Sequence, residues 1–81
     1  MNPRLKYEEN KIPDFSKTEL QIMDLLCREW SQNEIAQSLQ LSVGTVKRYK
    51  KQLCRKTGSR YFVGVVLFAL RNGLVKLNPM K

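Results

Sequence analysis

Six basic side chains crowd into ten positions of this 81-residue chain: Lys47, Arg48, Lys50, Lys51, Arg55 and Lys56. Ammonium and guanidinium groups are pure hydrogen-bond donors that stay charged at neutral pH. They pair with phosphates and can donate to guanine N7 and O6 in a major groove. Spacing decides whether they can work together. At about 100° per residue, Gly44, Lys47, Arg48, Lys51 and Arg55 fall on one side of a helix. Val46, Leu53 and Thr57 fall opposite, with Tyr49 at the edge of that buried arc. A helix offering such a row can enter a major groove, and Gly44, having no side chain, permits close approach at the entering end. Tyr49 can pack its ring and still offer a hydroxyl to a phosphate.

The charge distribution agrees. All seven acids (Glu8, Glu9, Asp14, Glu19, Asp24, Glu29, Glu34) lie in the first 34 residues, which sum to −2. The remaining 47 carry ten bases and no acid, a local +10 within a net +8. Such asymmetry points to a polyanionic partner. Other chemistry is missing. The chain has no histidine, and Cys27 and Cys54 stand 27 residues apart, so no zinc-ligand spacing exists. Both cysteines read as reduced packing residues. No Ser/His/Asp set, paired carboxylates or phosphate-cradling glycine loop appears, so neither an enzyme nor a cofactor is expected. No apolar run reaches the roughly 20 residues that span a bilayer, and no signal peptide is visible. The expected setting is the cytoplasm, at the nucleoid.

These side chains need elements to hold them. Residues 1–14 mix charges with two prolines and read as a flexible arm or linker remnant. A single domain is expected over 15–76, followed by a short tail at 77–81. Ser16 and Glu19 form an S-x-x-E capping box that opens a first helix. Leu20, Ile22, Met23, Leu26 and Cys27 make its core stripe, which Trp30 is expected to close. Ser31 and Glu34 repeat the device for a short second helix, with Ile35, Ala36 and Leu39 on one side. Ser42 caps a third helix over 43–56, and Gly58 is a natural stop. A fourth helix is expected over 61–72, ending before Gly73. No strand pattern appears, so the fold class is all-α. Two short helices joined by a tight turn, the second rich in bases, are the plan of a helix-turn-helix.

The stretch from Phe15 to Val75, about three quarters of the chain, resembles the LuxR/FixJ/GerE class of four-helix regulators. The resemblance rests on S-x-x-E-L at 16–20, S-x-x-E-I-A at 31–36 and L-S-x-x-T-V-K at 41–47. R-K-x-G-x-R at 55–60 and A-L-R-x-G-L at 69–74 complete it. Five such elements in order are far more specific than any one alone. The resemblance implies a transcription regulator binding double-stranded DNA, with 31–50 as the helix-turn-helix. It implies base reading by Lys47, Arg48 and Lys51. The expected backbone set is Ser42, Thr45, Tyr49, Lys50, Arg55, Lys56 and Arg60. The chain departs from the family's pattern at Glu29, where a small residue or glycine is usual, and at Tyr49, where histidine is common. Val43 and Gly44 replace a pair that is often polar.

The fourth helix is apolar nearly all round. Phe62, Val65, Phe68 and Ala69 make an arc that should pack on the domain. Val63, Val66, Leu67 and Leu70 make a second arc that a domain this small cannot also cover, which marks a partner surface. In the resembling family this helix forms the two-fold dimer, so a homodimer is expected. Two rival readings remain: an adaptor that touches RNA polymerase, and a sigma-factor-like promoter reader that need not dimerise. A membrane-surface helix is disfavoured, because only Val46, Tyr49 and Leu53 stand opposite the bases. Fourteen leading residues hold neither a receiver nor a ligand pocket. The chain therefore reads as a stand-alone regulator or the DNA-reading part of a longer one.

Overall fold

Side chains that accept backbone hydrogen bonds start three of the four helices. The structure, a computed structural model, describes residues 12–75. Among these residues four helices form: α1 (Lys17–Cys27), α2 (Gln32–Leu39), α3 (Val43–Thr57) and α4 (Phe62–Arg71). Ser16 Oγ accepts the Glu19 N–H at 3.1 Å, and Glu19 Oε1 accepts the Ser16 N–H at 2.8 Å. Ser31 and Glu34 repeat both bonds at the same distances to open α2. Ser42 Oγ accepts the Thr45 N–H at 3.0 Å to open α3. Each such cap contributes about 1 kcal/mol. The fourth helix has no side-chain cap. No strand occurs among the described residues, so the all-α expectation holds, with helix bounds within one residue of those read from sequence.

All four helices end by one device. The residue after the last turn takes a left-handed conformation, with φ 67° at Glu29, 59° at Gln40, 68° at Gly58 and 69° at Gly73. Its N–H and the next N–H fold back onto the helix. Thus Glu29 N–H reaches Leu26 O at 3.0 Å and Trp30 N–H reaches Leu25 O at 3.1 Å. The same pair of bonds recurs at Gln40 and Leu41, at Gly58 and Ser59, and at Gly73 and Leu74. This is the Schellman closure, which satisfies carbonyls that would otherwise end unpaired. Glycine adopts that conformation freely; Glu29 and Gln40 crowd their own Cβ there.

The third helix packs against each of the other three. Its Val46 and Leu53 join Ile22 and Met23 of α1, Ile35 of α2 and Val65 and Ala69 of α4 in a closed core. Three residues of the second arc of α4 stay out: Val63 is 63% exposed, Leu67 49% and Leu70 36%. Val66, expected with them, is instead half-buried against the core. The start of α4 lies so close to the preceding loop that a Cβ on Gly64 would meet Ser59 Oγ at 2.7 Å and Ser59 Cβ at 2.8 Å. Only glycine fits.

Two expectations are corrected. Trp30 does not close the α1 stripe; it is 38% exposed, because the left-handed residue before it turns the chain away from the core. The chain is anchored ahead of Phe15 as well. Lys56 Nζ donates to Asp14 O at 2.8 Å, so the last residue of the expected arm is held. The rest of that arm through residue 11, and the tail at 77–81, lie outside the described residues.

Replacing Glu29 or Gln40 by Gly should raise stability by about 0.5–1 kcal/mol each, net of the entropy glycine adds to the unfolded chain. For a domain this size that is a rise of a few degrees, roughly 2–8 °C, in the thermal midpoint. A calorimetric scan showing either variant melting earlier than the parent would refute this account of the helix ends.

Candidate nucleic-acid interface

The outward face of α3 stands as its spacing requires. Gly44, Lys47, Arg48, Lys51 and Arg55 are exposed, while Val46, Leu53 and Thr57 are buried. The first turn of α3 carries no acid. Thr45 completes a small chain of bonds at the helix start. Its Oγ1 accepts from Ser42 Oγ at 2.9 Å and from Arg48 Nη2 at 3.5 Å, a long contact that leans Arg48 toward the start of the helix. Tyr49 is half-buried, as its place at the edge of the arc predicts, and Arg60 is exposed in the loop before α4. The structure thus brings Ser42, Thr45, Lys47, Arg48, Lys51 and Arg55 onto one presenting surface.

Lys56 has a different role from the one expected of it. Its ammonium lies 2.8 Å from Glu19 Oε1 and 5.4 Å above the Phe15 ring, besides its bond to Asp14 O. Those partners tie α3 to the start of α1. Glu19 is the residue the sequence reading undervalued. It is only 1% exposed, and Lys56, Gln52 Nε2 and the Ser16 N–H all donate to it. Burial pushes its carboxyl upward. The hydrogen bonds from Lys56, Ser16 and Gln52 outweigh that, so the group titrates below its ordinary 4.5. The signal was present: Glu19 sits three and four residues before Ile22 and Met23, on the same buried face.

Both cysteines are free thiols, and burial, aided by the Asp24 charge and opposed by Arg28, pushes the Cys27 thiol upward. No group of His, Cys, Asp or Glu among the described residues could hold a metal. No helix among them is long and apolar enough to cross a membrane.

Two helices, α1 and α3, meet on a buried carboxylate, and α3, the second helix of a helix-turn-helix, turns a basic face outward. The match to known proteins is specific. Residues 13–69 fit the family described as bacterial regulatory proteins, luxR family, and the chain belongs to it. A response regulator of Synechocystis sp., Rre1, is 36% identical over 63 residues, which are 78% of this chain and 27% of that protein. The Bordetella pertussis protein named as a putative positive transcription regulator of virulence factors, BvgA, is 34% identical over 74 residues. That match takes in 91% of this chain and 35% of the relative. The solved structure of the transcription factor GerE superposes with a TM-score of 0.76 at 28% identity, covering 79% of this chain and 96% of that one. The chain spans only about a quarter to a third of the length of these two regulators.

Because the folded state lowers the Glu19 value, it favours the charged form. Stability from that charge is therefore full above pH 4.5 and is lost as pH falls through the lower folded value. Glu19→Gln keeps the size and the cap but removes the charge, and should cost about 1–3 kcal/mol at neutral pH. Melting the two proteins across pH 3 to 7 checks this. The gap should narrow on acidification, and a gap that stays constant would refute the charged role.

Proposed function

We propose that this domain regulates transcription by binding duplex DNA at an inverted-repeat operator as a homodimer, with α3 lying in the major groove. The observation that carries the reading is the exposed face of α3, where Lys47, Arg48 and Lys51 project together from a helix braced on its other side. Those three read base edges, by hydrogen bonds of the kind Lys and Arg make to guanine. Ser42, Thr45, Tyr49, Lys50, Arg55 and Arg60 meet phosphates and set the register. Lys56 supports them from within. Such a protein works in the cytoplasm, on the nucleoid.

The dimer follows from α4. Val63, Leu67 and Leu70 are exposed apolar side chains with Val66 beside them, and a self-complementary stripe closes across a two-fold axis. One short helix from each subunit buries little area, so the free dimer is weak and DNA strengthens it. Two α3 helices then address two half-sites, an arrangement a monomeric promoter reader lacks.

Alanine at Lys47, Arg48 or Lys51 should weaken operator binding by about 1–3 kcal/mol each while leaving the fold intact. Titrations at several salt concentrations should show log K falling by about 0.9 per log unit of salt for every phosphate met. Unchanged operator affinity in a folded triple-alanine variant would overturn the assignment.

Leu67→Glu places a charge against its symmetry mate and should abolish cooperative operator binding without unfolding the monomer. Sedimentation and DNA titration read the two effects separately. If the variant unfolds, the stripe is core; if it binds like the parent, the dimer lies elsewhere.

A further inference from the structure

The first residue of α2, the middle of α3 and the first residue of α4 meet at one lysine. Lys50 Nζ donates to Gln32 Oε1 at 3.0 Å and stands 5.0 Å from the centre of the Phe62 ring. Lys47 and Lys51 on the same helix are exposed, whereas Lys50 is half-buried. These three lysines, with Gln32, Cys54 and Phe62, line an open hollow of about 270 Å³.

A surface lysine ordinarily samples many rotamers, and ordering it for a contact costs binding free energy. Here that ordering is in place before any ligand arrives. An ammonium has three protons, and Gln32 takes one. The ring holds the cation electrostatically without using a proton. Two donors are left for an anion at the rim of the hollow. The Gln32 amide accepts through its oxygen, so its NH₂ is a further donor at the same spot. No carboxylate lines the hollow; its wall is mostly apolar, made by lysine stems, a thiol and an aromatic ring, so the donors sit at its rim rather than inside it.

We propose that Gln32 and Phe62 are positioning residues that aim Lys50 at one DNA phosphate, beside the bases read by Lys47 and Lys51. The inference rests on the DNA-binding reading above and sharpens it: one phosphate seat is built from α2, α3 and α4 together. Its consequence is mechanical. The helix proposed to pair the two subunits supplies, through Phe62, part of the support for a DNA contact. Any shift of α4 on the domain moves that support.

The test is a double-mutant cycle on operator affinity in the intact chain. Gln32→Met keeps the length of the side chain and removes the acceptor; it should weaken binding about two- to tenfold. Its thermal midpoint should equal the parent's. Phe62→Leu should act in the same direction. Lys50→Ala should lower the salt slope by about 0.9. In the Lys50→Ala background, Gln32→Met should then change affinity by no more than about twofold, because its partner is gone. Additive losses, or a Gln32→Met variant that binds like the parent, overturn the seat while leaving the DNA reading standing. A parent chain with no salt-dependent affinity for duplex DNA overturns both.

Discussion

A charged carboxylate at 1% exposure, Glu19, fixes where everything else in this domain can go. Left without partners, such a group would cost several kcal/mol. It is tolerable only because Gln52 and Lys56, one turn apart on α3, both reach it from the far helix. That requirement sets the rotation of α3. With Gln52 and Lys56 turned to α1, and Val46 and Leu53 to the core, Lys47, Arg48, Lys51 and Arg55 have only solvent to face. Rotating α3 by a single residue would strand the carboxylate and bury a cation. The same lysine lies over Phe15, whose ring meets Phe68 of α4 edge-on at 6.2 Å. One ion pair therefore ties together the entry to α1, α3 and α4.

Much of this could be read from the residues, and the rest was hidden for identifiable reasons. Helix starts are local: S-x-x-E announces both capping boxes, and both form. Helix ends are local only when glycine marks them. Gly58 and Gly73 did so, whereas Glu29 and Gln40 take the same left-handed conformation with side chains that give no such sign. Trp30 looked like core because it is large and apolar. Its place just past the left-handed Glu29 decides instead, and it emerges at the surface. Glu19 caps α1 as its S-x-x-E spacing announced, but its burial and its pairing with Lys56 were not read, although helical spacing set Glu19 on the same face as Ile22 and Met23. A pair 37 residues apart in sequence leaves no local pattern to find.

The presenting face of α3 is unfavourable in isolation. Lys47 and Lys51, then Lys51 and Arg55, are like charges four residues apart, each such pair costing a few tenths of a kcal/mol, roughly 0.2–0.5. Two of the helix's basic residues are relieved inside the protein, Lys56 by Glu19 and Lys50 by Gln32 and Phe62. Four are not, and these are the ones on the outward side. Arg55 at least stands in the last turn, where a cation suits the helix dipole. A polyanion lying along that face would relieve the remaining repulsion, which an acid at an outward position would do permanently and to the detriment of binding.

The start of α3 shows the same choice made a second time. The first two helices each carry Glu at the third position, closing a capping box. At the corresponding position α3 has Thr45, whose N–H is capped by Ser42 but whose side chain does not return the bond to the cap's backbone. Glutamate there would complete the box and sit well in the positive end of the helix dipole. It would also place a negative charge beside Arg48, on the basic face of the helix. Thr45 instead accepts from both Ser42 and Arg48, which steadies the guanidinium without neutralising it. Where α1 and α2 use the strongest available cap, α3 uses a weaker one and keeps its first turn free of acid.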